Sequence, residues 1–192
     1  IFRAGTKKQD VKRKFLKIKK NFKFQDGEKK ISIEPDNEGL KVDFQLVYSN
    51  KVIGTQSNQI NFSDTDLTNV YTSRTFCLFE DIEEIKKNGL AKGGTLENAV
   101  VVKGNEILNT EGLRNDKEFV NHKILDLAGD FLLSGYRILG SVKCTQGGHS
   151  LSNLFLRAFF KDHSNFQIIE HEKSVATENY FKTSANKLTV NA

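Results

Sequence analysis

The order of hydrophobic patterns along this 192-residue chain constrains its fold more than any other feature. Alternating apolar and polar residues, typical of strands, come first, at about 14–25, 29–35, 39–48 and 59–63. Two amphipathic helix patterns follow, at about 116–133 and 150–161. Strands grouped before helices are typical of the α+β class. We therefore expect an α+β sandwich of one sheet and two helices.

Shorter segments between these patterns indicate an insert. An apolar strand is expected at 74–78, a helix at 80–88 and a second strand at 99–102. The span of about 77–102 therefore predicts a strand–helix–strand insert. The sequence also predicts three other elements: a short helix within 64–73, a strand at 138–145 and a weak strand at 166–169.

The composition, with 38% hydrophobic and 28% charged residues, fits a soluble globular protein. No apolar run reaches the roughly 18 residues of a membrane span, so no transmembrane segment is expected. Residues 1–30 hold 12 Lys or Arg against 3 Asp or Glu, but the lysines between Phe15 and Phe24 alternate with apolar residues. This is the solvated face of an ordinary strand, so no nucleic-acid partner is expected.

Two features concern the compartment and the extent of the chain. Cys77 and Cys144 are distant in sequence and match no metal-binding spacing, so we expect buried thiols in a reducing compartment rather than a disulfide. The chain begins at Ile1 and contains no methionine. We therefore expect a fragment or a processed chain of a longer protein.

The segment VNHKILDLAGDF, residues 120–131, combines an apolar helix with ionisable side chains. His122, Asp126 and Asp130 are four residues apart and share one helix face. Ionisable groups are costly in such a place unless they are paired or bind a metal. An imidazole and a carboxylate on one face suit Zn²⁺, whereas the alternatives are a surface hydrogen bond and a buried structural pair.

His149 follows the Gly147-Gly148 turn at the start of the last predicted helix. A helix N-terminus disfavours a charged imidazole, but a nearby carboxylate such as Asp130 would keep the ring protonated. A protonated histidine beside a metal could stabilise an oxyanion or protonate a leaving group. The alternative is a turn histidine that caps its own helix.

Several motifs, in their order and spacing, resemble one family. They are Arg74-Thr75-Phe76, the run from Gly89 to Ala99, Leu108-Asn109, Glu111 to Arg114, Glu118-Phe119-Val120, His122 to Asp126, Gly129-Asp130, and Gly148-His149 with Leu151 and Asn153. This string resembles the second domain of the UDP-3-O-acyl-N-acetylglucosamine deacetylases, zinc enzymes of lipid A biosynthesis in Gram-negative bacteria. The resemblance is specific over about 74–160 and looser over about 14–73.

The resemblance implies catalytic roles for five residues. His122 and Asp126 would be zinc ligands. His149, paired with Asp130, would stabilise the tetrahedral oxyanion and protonate the leaving amine. Thr75 would polarise the substrate carbonyl.

The resemblance also implies a substrate, UDP-3-O-acyl-N-acetylglucosamine, and a cytoplasmic enzyme. Phe76 and Lys123 would contact this substrate, Lys123 through its polar or phosphate part. The insert would hold the acyl chain, with Gly94, Thr95 and Leu96 near it.

The family takes a third zinc ligand, a histidine, and a general-base glutamate from its first domain, which this chain is expected to lack. Residues 1–13 would then be the junction, 14–162 the second deacetylase domain and 163–192 a tail. Glu170-His171 follows the last helix, in the wrong order for the family, and we assign it neither missing role. The chain alone is therefore expected to bind zinc weakly and to be inactive.

Four residues depart from the family pattern. Gln146 replaces a lysine that helps hold the diphosphate, Asn121 replaces an arginine, Asn115 an aromatic residue and Ser152 an asparagine. The zinc and acid positions are intact, so these departures bear on substrate binding. The alternative function is a non-catalytic binding module of the same fold that uses its basic strand face.

Overall fold

The computed structural model describes residue 7, residues 10–63 and residues 66–170. Its strands are β1 Lys14–Ile18, β2 Phe22–Asp26, β3 Lys29–Pro35, β4 Leu40–Val47, β5 Thr55–Asn61, β6 Thr75–Leu78, β7 Ala99–Lys103, β8 Glu106–Ile107, β9 Arg137–Thr145 and β10 Phe166–Glu170. Its α-helices are α1 Thr68–Tyr71, α2 Ile82–Lys87, α3 Glu118–Phe131 and α4 His149–Phe159.

Strand β9 is the centre of the main sheet. Its first residues, 137–139, pair in parallel with β1, which pairs in turn with β10 in the antiparallel sense. From Gly140 onward, β9 lies between antiparallel β3 and parallel β4. Strands β2 and β5 extend the sheet as antiparallel neighbours of β3 and β4. In the described part of the chain, seven strands therefore form one sheet.

Helices α3 and α4 pack their apolar faces against this sheet. Among the described helices, none is long and apolar enough to cross a bilayer. The buried side chains of the two helices are Phe119, Val120, Ile124, Leu127, Phe131, Leu151, Phe155, Leu156 and Phe159. They meet Leu16, Ile18, Ile31, Ile33, Val42, Phe44, Val142 and Cys144 in one core with the strands. The predicted α+β sandwich is confirmed.

The predicted insert forms a second, smaller sheet. Strands β6 and β7 are parallel, with α2 between them in sequence, and β8 pairs antiparallel with β7. The Asn109 amide holds the start of β7, since it accepts from the Val101 N–H at 2.9 Å and donates to the Ala99 carbonyl at 2.8 Å. The strand–helix–strand unit is therefore present, and β8 is a two-residue addition that the sequence did not predict.

Three predicted elements differ from the structure. The single strand expected at 14–25 is two strands separated by residues 19–21, and the Lys19 N–H donates to the Asn165 carbonyl at 2.8 Å in the register of the β1–β10 pairing. This break lets β1 pair with β10 and β2 with β3. Strand β5 begins four residues before the predicted start at residue 59. The helix expected within 64–73 is a single turn in the described residues.

The two cysteines are free thiols, as predicted. Cys144 lies in the core, and this burial raises the pKa of its thiol to about 12. Cys77 is half-buried, and burial also raises the pKa of its thiol. Both side chains are therefore protonated at neutral pH and contribute packing rather than reactivity.

Gly140 marks the position where β9 changes partners, and it has no room for a side chain. A Cβ atom there would lie 2.7 Å from Ile18 Cγ1 and 3.3 Å from the Glu34 carbonyl oxygen. We expect Gly140→Ala to lower the free energy of unfolding by about 1–3 kcal/mol, because buried neighbours must move. Urea unfolding would measure this loss. Gly93→Ala is the control, since its Cβ would meet no atom within 4 Å, and equal losses in the two variants would contradict the prediction.

Candidate metal and proton-transfer site

Helix α3 presents His122 and Asp126 side by side on its partly exposed face. His122 Nε2 lies 3.3 Å from Asp126 Oδ1, and each side chain is 17% exposed. The opposite face of the helix is buried in the core. The predicted i, i+4 pair is therefore formed, with its polar atoms directed away from the core.

The ring of His122 is oriented from both sides. Its Nδ1 lies 3.2 Å from the Ser73 carbonyl oxygen, which can only accept, so this contact requires a proton on Nδ1. The Phe76 ring approaches the imidazole edge to face, with centroids 6.5 Å apart. The lone pair on Nε2 is then free on the side of Asp126.

Asp126 is the centre of a small charged cluster. Lys123 Nζ donates to Asp126 Oδ2 at 2.7 Å, on the oxygen that does not face His122. His149 Nε2 lies 3.9 Å from the same oxygen. A group bound at this carboxylate would therefore be within reach of both imidazoles.

His149 is the first residue of α4, and Asp130 holds its ring from α3. Nδ1 of His149 lies 2.8 Å and 3.0 Å from the two carboxylate oxygens of Asp130. The carboxylate accepts from Nδ1–H, which directs Nε2 outward. The His149 side chain is 70% exposed, so Nε2 can exchange a proton with a bound molecule.

The donor set of His122 and Asp126 fits zinc. Two ligands of a tetrahedral zinc ion, each about 2.0–2.1 Å from it, lie ~3.3 Å apart, which is the separation found between Nε2 and Oδ1. A ligating histidine also commonly donates its other ring N–H to a backbone carbonyl, as His122 does to Ser73. Among the residues that the structure describes, no group of three or more His, Cys, Asp or Glu side chains could hold a metal.

The other residues singled out from the sequence divide into two groups. Thr75 and Phe76 open strand β6, directly after the Ser73-Arg74 segment that contacts α3. Gly94, Thr95 and Leu96 lie in the exposed loop between α2 and β7. This loop is held by a bond within the insert, from the Asn98 amide to the Gly93 carbonyl at 2.9 Å, and by a bond from the Asn109 amide, beyond the insert, to the Leu96 carbonyl.

Comparison with known proteins identifies the family. Residues 1–161 match the family described as LpxC, UDP-3-O-acyl N-acetylglycosamine deacetylase. The chain belongs to this deacetylase family. The resemblance drawn from the motifs is thereby confirmed.

Curated members of the deacetylase family are similar over most of this chain. The protein of Campylobacter jejuni strain RM1221 is 40% identical over 172 residues, which cover 89% of this chain and 58% of the relative. That of Psychrobacter sp. strain PRwf-1 is 39% identical over 88% of this chain and 58% of the relative. That of Haemophilus ducreyi strain 35000HP is 36% identical over 86% and 55%. Each is named UDP-3-O-acyl-N-acetylglucosamine deacetylase, and the chain spans less than two thirds of each.

Two of the four departures from the deacetylase pattern contact each other. Asn121 is buried and donates to Asn115 Oδ1 at 3.0 Å, and it accepts from Asn58 at 2.7 Å. Asn115 in turn donates to Ser73 Oγ at 3.3 Å. Asn115 and Asn121 therefore share one hydrogen-bond network with Asn58 and Ser73.

The other two departures lie near α4 and beside Lys123. Ser152 is buried and donates to the Gly148 carbonyl at 3.2 Å, within the first turn of α4. Gln146 has a left-handed backbone, with φ of 53°, and lines a cavity of about 300 Å³. Lys29, Tyr48 and Lys123 line the same cavity. This cavity therefore keeps two cations although residue 146 is neutral.

Sequence reasoning gave no role to Glu118 or to the backbone of Ser73. Glu118 is fully buried in the first turn of α3, where it pairs with Arg74. Both residues lie in the motifs that carried the resemblance, and the signals available in the sequence were a glutamate among apolar residues and an arginine before Thr75. The bond between His122 and the Ser73 carbonyl could not be predicted, because any residue at position 73 would supply a backbone carbonyl.

Proposed function

We propose that this chain is the C-terminal half of a zinc-dependent deacetylase. The complete enzyme would hydrolyse the acetamide of UDP-3-O-acyl-N-acetylglucosamine, in lipid A biosynthesis and in the cytoplasm. Family membership and the names of the relatives support the substrate. The observation that carries the proposal is the convergence of the His122–Asp126 pair with the His149–Asp130 pair on one side of α3.

His122 Nε2 and one oxygen of Asp126 would hold the zinc ion. When bound, zinc would act as a Lewis acid on the amide carbonyl and would activate water for attack. A third ligand and the general-base glutamate would come from the part of the relatives that this chain does not span. Two protein ligands rarely suffice for tight zinc binding, so the chain alone would bind zinc weakly and turn over no substrate.

His149 would act as the general acid. Water adds to the acetamide carbonyl, and the carbon–nitrogen bond then breaks to give acetate and an amine. The departing nitrogen needs a proton, and His149 Nε2 faces the same space as Asp126. Asp130 would hold the ring through Nδ1 and balance the positive charge of its protonated form, which also favours an adjacent oxyanion.

Four residues beside this centre would bind or polarise the substrate. Thr75 would polarise its carbonyl, and the Phe76 ring, which packs against His122, would contact the substrate. Lys123 and Lys29 line one cavity, so a phosphate group of the nucleotide fits there by charge. The exposed loop with Gly94, Thr95 and Leu96 would lie along the acyl chain.

Metal titration tests this proposal. We expect calorimetry to detect weak zinc binding by the wild-type chain, and His122→Ala to abolish it. His163→Ala is the matched control, because His163 lies in the turn before β10 and outside the cluster. Adding the missing half in trans should strengthen zinc binding and restore hydrolysis. Turnover by the isolated chain would contradict the claim that it is inactive alone. Zinc binding unchanged in both His122→Ala and Asp126→Ala would contradict the proposed ligand pair and favour a binding module.

A further inference from the structure

One peptide group connects two turns of helix α3. The peptide between Ser73 and Arg74 uses its N–H to donate to Glu118 Oε1 at 2.9 Å. Its carbonyl oxygen accepts from His122 Nδ1 at 3.2 Å. Because a peptide group is planar and rigid, a partner that fixes its N–H also fixes the direction of its C=O. Glu118 and His122 are four residues apart, so one helix holds both ends of this plane.

The carboxylate that anchors this plane has a single orientation. Besides the Arg74 N–H, it accepts from Arg74 Nε at 2.9 Å, from Arg74 Nη2 at 3.1 Å and from the Arg114 N–H at 2.6 Å. Four donors thus converge on Glu118, which is 0% exposed. Arg74 is itself held by the Gly112 carbonyl at 2.7 Å and by Glu111. Apart from the half-turn that exchanges its two equivalent oxygens, no rotation of the carboxylate satisfies all four donors.

The orientation of His122 depends on this anchor. A proton on Nδ1 can be donated to the Ser73 carbonyl only while that carbonyl points at the ring. The proton then leaves the lone pair on Nε2, 3.3 Å from Asp126 Oδ1. If the peptide turned, either ring nitrogen could carry the proton, and Nε2 would be blocked in a fraction of the molecules.

We propose that Glu118 and Arg74 are positioning residues that set the tautomer of His122 through the Ser73–Arg74 peptide. They touch neither the proposed metal position nor the substrate. Their importance for metal binding rests on the proposed function, since an imidazole must present a lone pair to a metal. Their effect on the tautomer needs no metal.

The deciding measurement is the tautomer of His122 in the metal-free full-length chain. Nitrogen-15 labelling of histidine, read by NMR above the ordinary titration range of imidazole, distinguishes a protonated from an unprotonated ring nitrogen. His122→Ala identifies the signal among the four histidines of the chain. Asp126 Oδ1 lies 3.3 Å from Nε2 and competes with the Ser73 carbonyl by favouring a proton on Nε2. We expect the Nδ1–H form to dominate in the wild type all the same, because Glu118 fixes the Ser73 carbonyl towards Nδ1. A mixture of tautomers would overturn the proposal.

Glu118→Gln tests the anchor. Glutamine offers one carbonyl oxygen where four N–H donors converge, so the network must rearrange. We expect the ratio of Nδ1–H to Nε2–H tautomers at His122 to fall about fivefold, the ratio that loss of one ordinary hydrogen bond produces. The control is Phe159→Ala, a core variant of comparable expected destabilisation at the far end of α4. It should leave the tautomer unchanged, and an unchanged ratio in Glu118→Gln would show that the buried pair is only structural.

If Glu118→Gln fails to fold, a second variant tests the same anchor. Glu118→Asp keeps the charge but withdraws the carboxylate by one methylene, and it should also lower the tautomer ratio; a wild-type ratio would overturn the proposal. Zinc titration of the same proteins separates the two claims. If the tautomer ratio shifts in the variants but the wild-type chain binds no zinc, the positioning role stands and the proposed function is contradicted.

Discussion

Replacing Glu118 with glutamine is expected to lower the free energy of unfolding by about 3–5 kcal/mol. The Glu118 and Arg74 side chains are 0% and 2% exposed, so neither can be solvated when its partner is lost. The glutamine would leave the buried guanidinium with only the half-exposed Glu111 as a countercharge and would place an amide N–H₂ among N–H donors. Breaking a buried pair lowers the free energy of unfolding by more than the intact pair contributes to it, because the remaining charge stays desolvated.

Urea denaturation followed by circular dichroism would measure this loss. Glu111→Gln is the matched control, because Glu111 pairs with the same guanidinium but its side chain is 51% exposed. Exposed pairs contribute little, so this variant should lose less than about 1 kcal/mol. Similar losses in the two variants would contradict the prediction that burial makes the Glu118 pair the more costly one to break.

The same pair predicts how stability depends on pH. Burial acts to raise the pKa of Glu118, but hydrogen bonds from Arg74 and Arg114 outweigh it and lower this pKa from its ordinary value of 4.5. The unfolded chain therefore takes up a proton here at higher pH than the folded chain does. The stabilisation is complete above about pH 4.5 and is lost as pH falls through the lowered pKa. Between pH 6 and this acid range, the wild type should lose more stability than Glu118→Gln, and parallel curves would contradict this assignment.

Truncating Phe155 is expected to be as destabilising as losing the buried pair, by about 3–5 kcal/mol. Its ring stacks on Phe131 of α3 with centroids 5.6 Å apart and planes 4° apart. It also contacts Phe159 at 5.9 Å and the edge of Phe22 at 5.6 Å. Phe155→Ala would therefore leave a cavity where both helices meet strand β2, and the rigid rings around it cannot close the space.

The matched control lies one residue earlier on the same helix. Leu154 is 40% exposed, so Leu154→Ala should change the free energy of unfolding by less than about 1 kcal/mol. For Phe155→Ala, the urea midpoint should fall while the slope of the unfolding transition stays constant. A loss no larger than that of Leu154→Ala would mean that α4 does not depend on this ring for its attachment.

Strands and helices with a regular apolar period could be predicted from the sequence. Strands β3, β4 and β9 and helices α3 and α4 lie within one or two residues of their expected bounds, because one buried face imposes the period. Strand β5, TQSNQIN, has almost no apolar residue, and it becomes a strand through pairing with β4. The break between β1 and β2 preserves the alternation, so only the different partners of the two strands reveal it.

In the candidate site, too, local patterns could be predicted from the sequence, whereas a contact with a distant backbone atom could not. Helix geometry alone placed His122, Asp126 and Asp130 on one face, and the local sequence supplied every residue involved. The pairing of Asp130 with His149 joins two helices, yet the charge argument anticipated it. The anchoring of His122 by the Ser73 carbonyl depends on a backbone atom 49 positions away, which no side-chain pattern encodes.

A single uninterrupted helix carries His122, Lys123, Asp126 and Asp130. Their mutual spacing therefore depends on the pitch of α3 and on no hinge or loop. One residue inserted between His122 and Asp130 would turn everything after it by about 100° and shift it ~1.5 Å along the axis. Substitutions that preserve the helix therefore leave this spacing unchanged, whereas an insertion or deletion between His122 and Asp130 would turn Asp130 away from the ligand pair.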